Sequence, residues 1–489
     1  MKETEKNKSS AENLKWYEKK AGMNIAQKKS AQKKKDIRKQ RRENEKSGSE
    51  LKKQPAQKNN SNDKSKLSGK KREEKYVKCI DSLFEAASIP SDAKDIINNF
   101  QEILLSVIPL NSKQRSLLPK QIRDLSHTLT DERDERRRSY MNTTTTLSAY
   151  IHYFLWWNLV RLTRLFANMP ADYFAFKDKD ICLDIGSGPL TLPIALFLAR
   201  PELRNKELTF YCLDISQQTL NAGENIFLSV AAKLKCQPWK IIRVKGDFDS
   251  SIKEKASFVS CANVFNEVLQ GGYMPPDYYS KRYFQKLTAF TDKNAVSRIL
   301  IIEPGVPSSA RFLHCIRENF MAGGYKIISP CTHHENCPML GKKGNGAKWC
   351  NFAFTTQDAP AALKKLSQDA DLPKDRAVLS FLALEKNPVS QAQVTEEHIL
   401  EMLSKEETGN KKLKSLNSQA GLHNLTFRIV SDMIRLPGDR SGYYACSSLG
   451  LLLIVCNEEL ASGQSYETKM PKLTPPTDKK SGALIIDLR

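Results

Sequence analysis

The stretch Cys182-Leu-Asp-Ile-Gly-Ser-Gly-Pro189 decides how the rest of the chain is read. It reads as the end of a strand, a tight turn and the start of a helix. Gly186 and Gly188 let the backbone bend sharply and approach a ligand closely. Pro193 suits the first turn of the helix that follows. A second acid, Asp214, ends the next apolar run, 28 residues after Gly186, where a carboxylate can accept hydrogen bonds from a ribose diol. Gly246-Asp247 follows a third run and places Asp247 within reach of an adenine amine. Asp184, shortly before the first glycine, suits a cofactor with a positive amino group and no pyrophosphate. A dinucleotide would ask for the full Gly-x-Gly-x-x-Gly/Ala, and position 191 is Thr.

Outward from this loop, short apolar runs alternate with helical stretches: Ile181–Ile185, Leu190–Leu198, Thr209–Ile215, Leu220–Ala232, Lys240–Val244, Phe258–Phe265, Tyr278–Leu287 and Arg298–Glu303. That alternation predicts an α/β fold with a parallel sheet and right-handed crossovers. Upstream, residues 76–170 carry helical spacing, with Leu104, Val107 and Ile108 and then Ile151, Phe154, Leu155 and Leu159 on common faces. The helix Ala149–Phe166 is apolar but holds His152, Asn158, Arg161 and Arg164, so no membrane span is expected. After 325 the alternation fails. Residues 326–457 read as a cysteine loop followed by a small β module, interrupted by a polar insert at 387–420 and closed by strands on either side of Pro437-Gly438-Asp439. The expected domains are thus 1–75, 76–170, 171–325 and 326–457, with a tail at 458–489.

The 489 residues carry a net charge of +22. Residues 1–75 alone hold 25 Lys and Arg against 11 Asp and Glu. They have few large apolar side chains and are expected to be disordered. So uneven a charge suggests a polyanionic partner such as nucleic acid, set against a tail that serves only solubility. Eleven cysteines in a long chain do not read as a secreted disulfide scaffold. A reducing compartment fits them better. The acidic and basic N-terminus resembles neither a signal peptide nor an Arg-rich transit peptide, which leans toward a bacterial cytoplasm with a mitochondrial matrix as the alternative.

Cys331-x5-Cys337-x12-Cys350 lies in a proline-bracketed loop with little to bury. The spacing lacks the paired Cys-x2-Cys knuckles of a zinc ribbon. Irregular thiolate spacing suits an iron–sulfur cluster, which accepts ligands from separated loops. Cys446, in Tyr443-Tyr-Ala-Cys-Ser-Ser-Leu-Gly450, is the best candidate for a fourth ligand. His333 and His334 are alternatives that would favour zinc. Cys261 lies in an apolar strand and reads as a buried structural thiol. No residue carries a visible catalytic signature, and Ser260–Glu267 lacks the Asn-Pro-Pro-aromatic motif used on exocyclic amines.

The run of strand, Asp184, Gly186-x-Gly188-Pro189, helix, Asp214 and Asp247 resembles the class I S-adenosylmethionine-dependent methyltransferases. The helix Ala149–Phe166, Ile302-Glu-Pro-Gly305, Pro330-Cys-x5-Cys-Pro338, Trp349-Cys350-x-Phe352, Ser380-Phe-Leu-Ala-Leu384 and Cys446-x3-Gly450 together resemble the Rsm-type small-ribosomal-subunit methyltransferase-like family, over roughly residues 140–457. The resemblance implies S-adenosylmethionine as cofactor and a 4Fe–4S cluster on Cys331, Cys337, Cys350 and Cys446. It also implies association with rRNA and proteins of the small ribosomal subunit during assembly. Thr332-His333-His334-Glu335 departs from the family's usual Pro-His-Asp or Pro-His-Glu, and few basic residues precede Cys446. Three functions follow as expectations: an rRNA-binding assembly factor, an active rRNA methyltransferase, and, least supported, a small-molecule methyltransferase.

Overall fold

The computed structural model describes residues 77–130, 143–269, 274–340, 348–388, 424–438, 440–471 and 473–488. The basic stretch 1–75 and most of the insert expected at 387–420 lie outside these residues. Strand β1 (Val77–Ser82) belongs to a second sheet described below. The first sheet is built on β2 (Ile181–Ile185), β3 (Thr209–Asp214), β4 (Lys240–Lys245), β5 (Phe258–Ala262), β6 (Ser297–Glu303), β7 (Lys326–Ser329), β8 (Phe352–Thr355) and β9 (Arg376–Lys386). Its order is β4-β3-β2-β5-β6-β9-β7, with β8 pairing to the far end of β9. Strands β4, β3, β2, β5 and β6 run parallel. β9 enters antiparallel between β6 and β7, in register from Ser297 opposite Lys386 to Glu303 opposite Ser380. Parallel strands joined through helices, closed by an antiparallel hairpin edge, form the class I methyltransferase fold expected from the sequence.

The physical basis is burial on both faces. Residues of β6 are buried throughout, and β5 and β2 nearly so, as parallel strands covered by helices require. The helix Thr191–Ala199 is buried on every side, which explains why its sequence, TLPIALFLA, shows no polar stripe. Helix Gln217–Lys233 begins where Ser216 Oγ accepts the Thr219 N–H, an ordinary N-cap. Its inner face meets Phe197, Phe210 and Trp239, whose rings pack at 4.9–5.1 Å around Trp239.

The second sheet runs β1-β14-β10-β12-β13-β15, with β11 (Ile434–Leu436) added to β12. Its other members are β10 (Asn424–Ile429), β12 (Arg440–Ser447), β13 (Gly450–Cys456), β14 (Gln464–Lys469) and β15 (Leu484–Asp487). All pairs are antiparallel except β13 with β15. Leu425, Phe427, Tyr443, Ile454 and Tyr466 form its own core.

The domain boundaries expected from the sequence do not coincide with these sheets. The boundary at 325/326 cuts through the first sheet, because β7, β8 and β9 complete it. The expected tail at 458–489 supplies β14 and β15. The expected helical region 76–170 begins with a strand, β1, that pairs with β14.

Candidate functional site

A cavity of about 290 Å³ opens at the C-terminal ends of β2, β3, β4 and β5, where an open parallel sheet places its ligands. Gly186, Gly188, Asp214, Asp247, Phe248, Asn263 and Glu267 are among its lining residues, with Tyr150 contributed from the N-terminal helices. Gly186 has φ +66° and Gly188 φ +51°. A Cβ on Gly186 would lie 2.5 Å from Val264 Cγ2, so this turn needs glycine for both conformation and space. Leu190 also has positive φ, +57°, with its side chain fully buried.

Asp214 ties the loop to β3. Its Oδ1 accepts the Ser216 N–H at 2.8 Å and its Oδ2 the Gly188 N–H at 2.9 Å. Burial raises its pKa, and these hydrogen bonds pull it back.

Asp184 does not line the cavity. It lies buried beneath the loop, accepting Ser187 Oγ–H at 2.6 Å and Ser260 Oγ–H at 2.7 Å. Burial pushes its pKa up to about 7, against the pull of both hydroxyls. Of the five residues expected around a cofactor, the structure therefore brings four, Gly186, Gly188, Asp214 and Asp247, to one cavity and puts Asp184 under it as a support.

Two residues outside the lining, which the sequence reading did not single out, support the β5 end of the cavity at Asn263. Glu303, at the end of β6, is buried and accepts the N–H groups of Phe265 at 2.8 Å and Asn266 at 3.0 Å. Burial raises its pKa to about 8. Arg161 donates to Asn263 Oδ1 at 3.3 Å, to Asn158 Oδ1 at 2.9 Å and to the Val378 carbonyl at 3.0 Å. Glu303 sits in the quoted Ile302-Glu-Pro-Gly305, but no spacing rule links it to Asn263 and Arg161.

The cysteines of the loop form a second constellation. Cys331, Cys337 and Cys446 each raise the pKa of Cys350 through their charge, so the four thiols lie in one neighbourhood. Burial is the largest cause raising each pKa, and Cys337 rises to about 11. His333 Nε2 lies 3.1 Å from Cys446 Sγ. Arg317 and Arg428 lower the pKa of Cys331 against that burial. Buried Thr332 Oγ1, His333 Nδ1 and Arg317 Nε have no hydrogen-bond partner among the described residues. Among the described residues, no group of three or more His, Cys, Asp or Glu side chains is placed to hold a metal.

Residues 162–405 match the family model "Rsm22: Mitochondrial small ribosomal subunit Rsm22". The Rsm22 match takes in the glycine loop, β2 to β9, and Cys331, Cys337 and Cys350, and stops short of Cys446. No curated protein matches the chain. Similar solved structures include methyltransferases. One, from Geobacter sulfurreducens in complex with S-adenosyl-L-homocysteine, is 12% identical, with 46% of this chain and 89% of that one aligned, at a TM-score of 0.27. A precorrin-6y C5,15-methyltransferase from Geobacter metallireducens is 11% identical over 44% and 84%, at 0.26. A methyltransferase from Pyrococcus furiosus is 9% identical over 43% and 77%, at 0.25. The fold assignment rests on this chain's own strand order. No helix among the described residues is long and apolar enough to cross a membrane.

Proposed function

We propose that the chain is an Rsm22-family protein that binds rRNA and proteins of the small ribosomal subunit during its assembly, in mitochondria. The Rsm22 match over 162–405 carries this reading, because one span joins the methyltransferase cavity to three of the loop cysteines. The mitochondrial character of the matching family favours the mitochondrial alternative over the bacterial cytoplasm. The basic stretch 1–75 supplies salt-dependent attraction to phosphate. The test is sedimentation of the tagged chain with small-subunit precursors. Co-migration at low salt that is lost steeply as salt rises is expected, and absence from those fractions at low salt would refute the reading.

S-adenosylmethionine fits the cavity, and when bound it supplies an activated methyl group. Gly186 and Gly188 let the backbone approach the methionine part, Asp214 receives the ribose hydroxyls, and Asp247 receives the adenine amine. The open cavity favours a second reading, an active rRNA methyltransferase. Mapping rRNA modifications with and without the gene separates the two: a lost methyl group supports the enzyme, and unchanged methylation removes it.

The donor set at Cys331, Cys337, Cys350 and Cys446 fits a 4Fe–4S cluster, which when bound supplies the metal–thiolate bonds that a loop without its own core needs. The unpartnered donors of Thr332 and Arg317 suit a group that carries sulfide acceptors. About four irons and four sulfides per chain after anaerobic purification, lost in Cys446→Ser, are expected. One zinc without sulfide would instead point to His333 or His334.

A further inference from the structure

Asn263 follows β5 directly, in a left-handed conformation with φ +59°. Its backbone N–H donates to the Ile302 carbonyl at 2.7 Å. Asn263 is among the residues lining the cavity, beside the glycine loop. Its side chain is held from behind by Arg161, whose Nη2 lies 3.3 Å from Oδ1. A guanidinium has only donors. The amide of Asn263 must therefore turn its oxygen toward Arg161, and the group left for the cavity is its NH2. Arg161 is itself fixed by Asn158 and by the Val378 carbonyl. Buried Glu303 holds the next turn through the N–H groups of Phe265 and Asn266. The orientation is thus set by three segments of the chain.

We infer that the group facing Asn263 in the cavity is a hydrogen-bond acceptor, such as a carbonyl oxygen or an unprotonated ring nitrogen, and not an amine held through its N–H. This rests on the cavity being an S-adenosylmethionine site. Along the sheet the order β4, β3, β2, β5 runs from Asp247 through Asp214 and the glycine loop to Asn263. The β5 end is accordingly where the methyl group and its acceptor meet. An amine there would need an oxygen to receive its N–H, and it would have to share the oxygen of Asn263 that Arg161 already engages or turn to Glu267. Tyr150 and Glu267 also line the cavity, so the test has to separate Glu267 from Asn263.

The experiment is calorimetric titration of the full chain with S-adenosylhomocysteine and with sinefungin, an analogue that carries an amine where the methyl group would sit. The wild-type chain is expected to bind sinefungin no more tightly than S-adenosylhomocysteine. Asn263→Asp puts a second oxygen where the NH2 stood and should shift the ratio of affinities toward sinefungin by at least about tenfold. Arg161→Met frees the amide to turn and should shift it the same way. A ratio that falls toward S-adenosylhomocysteine in Glu267→Gln while Asn263→Asp leaves it unchanged would assign the amine to Glu267 and overturn the inference. S-adenosylhomocysteine binding by each variant reports that its site is folded. A wild-type preference for sinefungin of tenfold or more, or an unchanged ratio in Asn263→Asp, overturns the inference while the cofactor reading stands. Failure of the wild-type chain to bind either compound sinks the cofactor reading and the inference with it.

Discussion

The Gly188 N–H donates to the Asp214 carboxylate at 2.9 Å, so the acid at the end of β3 holds the glycine loop at the end of β2. One carboxylate serves two neighbours, because its other oxygen takes the Ser216 N–H. A residue placed to meet a ribose is thereby also part of the loop's own frame.

Asp214→Asn tests that double role. The amide NH2 would face one of the two backbone N–H donors, leaving a half-buried donor unpaired. The expected loss is about 1–3 kcal/mol in denaturant unfolding, together with at least tenfold weaker S-adenosylhomocysteine binding by calorimetry (roughly 1.4 kcal/mol). Weaker binding at unchanged stability would mean that the carboxylate meets only the ligand. Lower stability at unchanged affinity would remove its ribose role.

Gly223, on the helix Gln217–Lys233, packs against the same loop. A Cβ there would stand 2.4 Å from the Pro189 carbonyl carbon and 2.7 Å from its Cα. Glycine-to-alanine inside a helix ordinarily gains about 1 kcal/mol. Backbone cannot move aside as a flexible side chain can, and overpacking costs about 1–3 kcal/mol. Gly223→Ala should therefore lower the melting temperature and weaken cofactor binding, because the loop it displaces forms the cavity wall. A raised melting temperature would show that the loop yields easily.

Asp184 predicts a pH dependence. Its folded pKa, about 7, lies above the ordinary carboxylate value of 3.8. The folded chain then holds its proton longer than the unfolded chain, and stability falls as pH rises between these two values. The shift corresponds to an effect on the order of 4 kcal/mol once both states are ionised. Glu303 is raised in the same sense, to about 8, so the wild-type chain loses stability through both groups. Asp184→Asn should flatten the part of the slope below pH 7 and leave the Glu303 part. Unfolding curves at pH 5, 6, 7 and 8 for both proteins check this, and parallel slopes would place the titration elsewhere.

The residues show where sequence reading succeeds and where it stops. The strands β2 to β6 were legible because parallel strands buried on both faces leave unbroken apolar runs between glycines and acids. β7 to β9 were read as a separate module, because the cysteine loop and an antiparallel return break the βα rhythm while the hydrogen bonds still close the same sheet. β1 and β14, VKCIDS and QSYETK, are too polar and short to announce themselves; pairing with each other makes them strands. Among site residues, glycines and an acid after a strand carry a local signal. Which way Asp184 faces depends on Ser187 and Ser260, and Asn263 meets Arg161 from 102 positions away. Neither relation leaves a pattern in one sequence.

Arg428 carries the last prediction. From β10 it donates to the Pro330 carbonyl at 2.6 Å, to the Gly463 carbonyl at 2.6 Å, and to both carboxylate oxygens of Asp81 on β1 at 2.6 and 3.1 Å. One buried guanidinium thus joins the edge strand of the second sheet to the first residue of the cysteine loop. Asp81 is 47% exposed, so water can recover that carboxylate when the arginine is removed. The two carbonyls are the larger loss. The expected cost of Arg428→Met is roughly 2–4 kcal/mol, toward the lower part of the range for breaking a buried pair. Arg428→Lys should recover little of it, because a single ammonium cannot reach four acceptors in a fixed fork. Hydrogen exchange locates the damage. Protection should fall in β1 and around Pro330 and Cys331 while β2, β5 and β6 stay protected. A uniform loss across both sheets would mean that Arg428 supports the whole fold and does not specifically clasp the cysteine loop to the second sheet.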